Sequence, residues 1–91
     1  MKKHFESKIP SLLDAVAVTF SSHVFFKGSE EDVSDSLIRH EREHVKQYKR
    51  DGIIGFLSRY FYEYLRGRLS GMDHSEAYHN ISYEKEARKV E

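Results

Sequence analysis

Five consecutive residues, His40-Glu41-Arg42-Glu43-His44, combine side chains that can bind a metal with one that can move a proton. On a helix, positions i and i+4 lie one above the other on the same face, so both imidazoles can point at one divalent ion. Glu41, beside the first of them, reaches a water at that ion without being a ligand itself, the position a general base needs. Two histidines and a glutamate base in this order suit zinc and the hydrolysis of a carbonyl compound. Composition sets the opposing reading. The chain has 91 residues, six of them histidine, and is one-third charged, so a solvated helix face rich in Glu, Arg and His would spell a similar string.

The surrounding pattern decides between the two. Leu37, Ile38, Glu41, His44, Val45 and Tyr48 recur at three- and four-residue spacing, which puts the motif on the apolar stripe of a helix and not on its wet face. Asp32 or Ser34 can cap the start, with Asp35 three residues after Asp32 in the place a capping box uses an acid. Gly52, after Lys49-Arg50-Asp51, supplies a stop, with two cations near the negative end of the helix dipole. A surface charge run is not normally bracketed by Leu37-Ile38 and Val45, so the metal reading is preferred.

A catalytic zinc site takes three protein ligands and leaves one position for water. With no cysteine in the chain, the third must be His, Asp or Glu. The segment Ser82-Tyr83-Glu84-Lys85-Glu86-Ala87-Arg88 offers two acids. Ser82 reads as an N-cap, which places Glu84 in the first turn of a short helix, and Ala87 on the same face lets that helix approach another closely. Glu86 is the alternative ligand and faces a different side of the same helix.

His40-Glu41-x-x-His44 followed at a distance by Tyr83-Glu84-x-x-Ala87 resembles the gluzincin branch of zincin metallopeptidases. More narrowly, Leu37-Ile38-Arg39-His40-Glu41-x-x-His44-Val45-x-Gln47-Tyr48 looks like small zincin-like proteins of bacteria and their phages. So do Gly55-Phe56-Leu57, Tyr60, Tyr64-Leu65, Ala77-Tyr78 and Tyr83-Glu84-x-Glu86-Ala87, which extend the resemblance over about residues 15 to 88. It implies His40, His44 and Glu84 as ligands of one zinc ion per chain and Glu41 as base. It also implies a phage- or prophage-like setting. Two positions depart from the pattern. Arg88 stands where an aspartate often hydrogen-bonds a ligand histidine, and Ser82 stands where proline is common. The first leaves the partner of the imidazoles unidentified.

The rest of the chain bounds the reading. Its length gives one small domain over residues 1–91, to which a bound metal would add stability. Zero formal charge and a neutral pI argue against nucleic acid as the main partner. Absence of cysteine fits a reducing compartment, no run is long enough to span a membrane, and Glu6, Lys8 and Pro10 interrupt any signal sequence, so a cytoplasmic location is expected. Residues 1–10 are expected to be loosely held.

Ala15–Phe20 and His23–Phe26 read as two strands of a hairpin joined at Ser21-Ser22, and Gly28-Ser29-Glu30-Glu31 as the loop before the motif helix. The resemblance implies that Phe20–Phe26 lies along the cleft and pairs with an extended substrate, with the Val24 and Phe26 side chains in the core. Ile53, Leu57, Tyr60, Phe61, Tyr64, Leu65 and Leu69 predict a helix over 53–69 with that stripe as its core face. Asp73 and Glu76 predict the capped start of a shorter helix through Ala77-Tyr78-His79. The expected fold class is α+β: a minimal zincin-like domain with a short N-terminal β-hairpin, then three to four helices, the first long one carrying the motif.

On this reading zinc would polarise a peptide carbonyl and activate its water, and Glu41 would take the proton and later deliver it to the leaving amine. The developing oxyanion needs a further donor. Tyr83, His79, Tyr78 and Tyr64 are candidates, with Tyr83 and His79 preferred because they flank Glu84. His23 can line the cleft from its strand, whereas His4 and His74 read as exposed and incidental. The expected function is a zinc-dependent peptidase acting on a peptide or protein in extended conformation. The alternative is a non-catalytic, zinc-stapled binding module closed by a fourth ligand, for which Glu86 or His79 is available. A metal-free helical interaction domain is the remaining possibility.

Overall fold

The structure is a computed structural model, and it describes residues 1–13 and 15–91. The Val- and Phe-rich stretch folds as anticipated into β2 (Ala17–Phe20) and β3 (His23–Phe26), with β1 (Lys2–His4) preceding them. β2 and β3 are antiparallel, with Phe20 opposite His23 and Ala17 opposite Phe26. Ser21 sits at φ 55°, the left-handed conformation a two-residue hairpin loop needs at its first position.

The sheet has a third strand. β1 pairs in parallel with β3 and the order is β1-β3-β2, so Lys2–His4, within the segment expected to be loose, is hydrogen-bonded to the sheet. The chain crosses from β1 to β2 through one helical turn, α1 (Ile9–Leu12), whose Pro10 lies in the first turn, where no backbone N–H is required.

Four helices follow: α2 (Asp35–Asp51), α3 (Ile53–Leu69), α4 (His74–His79) and α5 (Ser82–Lys89). The fold is therefore α+β, with the His-Glu-x-x-His segment on the first long helix. Ser34 is the cap of α2, its hydroxyl accepting from the Leu37 N–H at 3.1 Å. Gly52, at φ 77°, ends α2 and turns the chain directly into α3, a conformation that suits glycine alone. Asp73 caps α4 by accepting from the Glu76 N–H at 2.9 Å. At α5 the cap position belongs to Ile81, not to Ser82. Ser82 falls inside the first turn, where its N–H and hydroxyl both donate to the Glu63 carboxylate.

α2 separates two apolar clusters. On one side Val45 packs with Val24 and Phe26, both fully buried as expected. On the other, Tyr48, Phe56, Ile81 and Tyr83 join α2, α3 and α5, and the Phe56 ring stacks between Tyr48 at 3.8 Å and Tyr83 at 4.4 Å between centroids. α3 spans the expected residues but is rotated from the expected orientation. Its inward face is Phe56, Tyr60, Tyr64 and Gly67, whereas Phe61 is 63% and Leu69 85% exposed. The reason is Gly67, which lets α3 meet α4 closely: a Cβ there would lie 3.1 Å from the Cβ of Ala77. Ala87, fully buried on α5, serves the approach of that helix to α2. Among the described residues, no helix is long and apolar enough to cross a membrane.

Candidate metal centre

The buried face of α2 carries His40, Glu41, His44 and Gln47, one turn after another, all at most 9% exposed. Charged and polar groups this deep need partners. Most come from α5. Glu84 points both carboxylate oxygens at α2: Oε1 lies 3.0 Å from His40 Nε2, and Oε2 lies 3.0 Å from His44 Nε2. One ligand atom from each of these three residues falls within 4.8 Å of the other two. Tyr60, from α3, donates its hydroxyl to Glu84 Oε2 at 2.8 Å.

The far sides of the imidazoles are held as well. His44 Nδ1 donates to Gln47 Oε1 at 2.8 Å, and the Gln47 amide in turn donates to the Tyr83 carbonyl at 3.0 Å. His40 Nδ1 faces the Glu91 carboxylate. With Nδ1 held from behind, each ring directs Nε2 inward at the Glu84 carboxylate, to which it donates in the metal-free protein; a bound metal would take the place of that hydrogen. Arg88 does not take part; its guanidinium donates to the His79 carbonyl at 2.5 Å.

The electrostatics agree with the geometry. Burial alone would raise the Glu84 carboxyl, but the hydrogen bonds from His40 and His44 outweigh it and hold the group well below the usual carboxylate range. Burial alone would lower both imidazoles; their hydrogen bonds to Glu84 and the charges of Glu84 and Glu41 outweigh it and raise them above the ordinary value of 6.5. Glu41 behaves differently. Burial raises its carboxyl, and the nearby imidazoles only partly oppose this, so it is more basic than an exposed glutamate. Thr19 donates to it at 3.4 Å. A raised glutamate beside a three-donor cluster is what a proton-transfer base requires.

The cluster opens into a cavity of about 820 Å³ between β2 on one side and α3 and α4 on the other. β2, and not β3, borders it. β3 is the central strand, with both edges used, so Phe20–Phe26 does not lie along the cleft as expected; Ala17, Val18 and Thr19 of β2 border it instead. Lys27 N–H donates to the Val16 carbonyl at 3.0 Å. The antiparallel alternation then aims the backbone groups of Ala17 and Thr19 at the free edge. The Thr19 carbonyl is already taken by the Tyr48 hydroxyl at 3.3 Å.

Tyr83 and His79 do not line this cavity. Tyr83 is buried in the aromatic cluster with its hydroxyl donated to Asp51 Oδ2 at 2.6 Å, and His79 Nδ1 bonds the Ser75 carbonyl at 2.7 Å. Adjacency to Glu84 misleads here, because neighbours along a helix point to different sides. Tyr60, Tyr78 and His74 line the cavity instead. His74, expected to be incidental, holds the Tyr64 hydroxyl at 2.9 Å, which keeps Tyr64 itself off the site. Burial, then the charge of Glu84, pushes the Tyr60 and Tyr78 hydroxyls far above the usual tyrosine value, so both remain O–H donors. Glu86 pairs with Arg50 at 3.3 Å, away from the cluster. His4 and His23 share a hydrogen bond at 3.1 Å on the exposed sheet and are not part of the site.

The eCIS core domain family matches residues 7–52, just over half of the chain. The chain belongs to the eCIS core domain family. The matched span runs from α1 through β2, β3 and the whole of α2, so it contains His40, Glu41, His44 and Gln47 and stops at the Gly52 turn. Glu84, Tyr60 and Glu91 complete the site from outside the span matched to the eCIS core domain. No curated protein and no solved structure matches the chain.

Proposed function

We propose that this eCIS core domain protein is a zinc-dependent peptidase that cleaves an extended peptide lying beside β2. The observation that carries the reading is the convergence of His40, His44 and Glu84 with a buried, basic Glu41 at the floor of a cavity. The donor set fits zinc: two neutral imidazole nitrogens and one carboxylate. Zinc bound there would polarise the substrate carbonyl and make a water more acidic.

The chain's own residues do the rest. Glu41 accepts the proton of the attacking water and returns it to the leaving amine. Tyr78 and His74, which line the cavity, supply donors for the oxyanion in place of Tyr83 and His79. Ala17 offers its backbone N–H and C=O to the substrate strand. Membership of the eCIS core domain family is compatible with the phage-like setting the resemblance implies.

The binding-module alternative needs a fourth protein ligand. Glu86 is engaged with Arg50 and His79 with Ser75, so neither candidate supports it. The test measures metal content by native mass spectrometry on wild type, His44→Ala and Glu84→Ala, followed by a peptide-library digest with wild type and Glu41→Gln. One zinc per wild-type chain, weakened in both ligand variants, and cleavage abolished in a Glu41→Gln protein that still holds zinc are the expected results. Cleavage retained by Glu41→Gln refutes the mechanism.

A further inference from the structure

The two histidines of the cluster are supported unequally. His44 Nδ1 is met by Gln47, a neutral amide that is 1% exposed and belongs to the same helix. His40 Nδ1 is met by the Glu91 carboxylate, 51 positions away along the chain. A histidine–glutamate contact at a surface is ordinarily of little consequence, and the Glu91 side chain is 39% exposed. Three observations set this one apart.

Arg39, the residue before His40 on α2, fastens the backbone that carries Glu91: its Nε donates to the carbonyls of Val90 and Glu91 at 3.1 Å each, and its Nη2 donates again to the Glu91 carbonyl at 2.5 Å. The ordering of this segment is thus supplied by Arg39 and does not fall on the contact with His40. Glu91 also borders the cavity, on the side of His40 away from Glu84. Finally, Glu84 lies on Nε2 and Glu91 on Nδ1 of the same ring, so the imidazole is pinned at both nitrogens, leaving its plane little freedom.

We infer that Glu91 is a positioning residue for His40: held in place by Arg39, its carboxylate accepts the Nδ1 hydrogen and keeps Nε2 aimed at the metal position. The inference rests on the metal reading given above. A carboxylate behind a ligand histidine fixes the tautomer and makes the ligating nitrogen a stronger donor, and losing such a partner typically weakens metal binding by about 10–100-fold. Gln47 can fix the tautomer of His44 but brings no charge. The cluster therefore has one strengthened and one merely oriented imidazole.

The test is zinc affinity by competition against a chromophoric chelator, for wild type, Glu91→Ala, Glu91→Gln and Arg39→Ala, with Lys89→Ala as control. Glu91→Ala is expected to bind zinc about 10–100-fold more weakly. Glu91→Gln, which keeps an acceptor but not the charge, falls between it and wild type, and Arg39→Ala follows Glu91→Ala because the carboxylate is no longer delivered. Added formate recovers part of the affinity of Glu91→Ala and does nothing for wild type, a response that a general loosening of the fold would not give. The visible absorption of the cobalt-substituted protein shifts in Glu91→Ala and not in the control. Zinc affinity in Glu91→Ala and Arg39→Ala within about twofold of wild type overturns the inference while leaving the metal site standing. A wild type that takes up no zinc overturns both together.

Discussion

Replacing Gln47 with leucine removes a side chain that joins the site to the core without touching the proposed substrate cavity. Gln47 is 1% exposed and makes two hydrogen bonds, accepting from His44 Nδ1 at 2.8 Å and donating to the Tyr83 carbonyl at 3.0 Å. Leucine is of similar size, so the change leaves no large void; its effect comes from the two partners left unpaired in a dry place. An orphaned buried donor or acceptor costs about 1–3 kcal/mol, and the better burial of an apolar side chain offsets part of the sum, for a net loss of about 2–4 kcal/mol. Set against the roughly 5–15 kcal/mol that stabilises such a domain, this is a large fraction. At about 4–8 °C per kcal/mol for a chain of this size, the melting temperature should fall by about 8–32 °C.

The assay is thermal unfolding of metal-free protein followed by circular dichroism, with Gln47→Glu alongside. Glutamate keeps the acceptor for His44 and loses the donor to Tyr83, so it should fall between wild type and leucine. If Gln47→Leu is too unstable to purify, Gln47→Glu carries the test alone. A leucine variant that melts within about 3 °C of wild type would refute the view that this amide ties α2 to α5.

Gly67→Ala should destabilise by about 1–3 kcal/mol, read by urea denaturation, because its Cβ would meet the Cα of Ala77 at 3.2 Å as well as the Met72 sulfur at 3.3 Å. Tyr60→Phe keeps the ring but removes a hydrogen bond to a charged carboxylate, so metal-free protein should lose about 1.5–3 kcal/mol in the same measurement. Stability of the metal-free protein should also depend on pH in a defined way. His40 and His44 titrate above their ordinary 6.5 in the folded state, so their contribution is complete below 6.5 and is lost as pH rises through the raised values. Glu41, raised from 4.5, adds a loss of the same sign that begins lower. Glu84, depressed below 4.5, contributes above 4.5 and fails only in strong acid. Metal-free protein should therefore melt lower at pH 8 than at pH 6, and zinc should abolish the difference; equal melting at both values without metal would contradict the cluster's electrostatics.

The parts of the site that lie within one helix were legible in the sequence. His40, Glu41 and His44 are fixed by the helical repeat, and Ser34 and Gly52 bound that helix by local chemistry. Glu84 was within reach because a small residue three positions later marked a close-packed face. What required the structure was non-local. Met1-Lys2-Lys3-His4 has nothing of a strand pattern, yet parallel pairing with β3 recruits Lys2–His4. The inward turn of Phe56 in place of Leu57 and Phe61 follows from the contact of Gly67 with Ala77, a relation between two helices that no single-helix periodicity encodes. Tyr60 and Glu91 entered the site for the same reason, as partners chosen by three-dimensional proximity, whereas Gln47 meets His44 locally on α2 and only its bond to the Tyr83 carbonyl is non-local. Tyr83 and His79 flank Glu84 in sequence but point away from the site, because neighbouring positions on a helix face different sides.

The donors of the cluster are far apart in order of synthesis: His40 and Glu84 are separated by 44 positions. A chain made at about 5–20 residues per second holds both histidines for roughly 2–8 s before its carboxylate exists. During that interval the chain has the base and two weak ligands but no complete metal cage. On the proposed reading, hydrolytic competence would appear only once α5 has docked, and a newly made chain would not act on itself or on its neighbours while still unfolded.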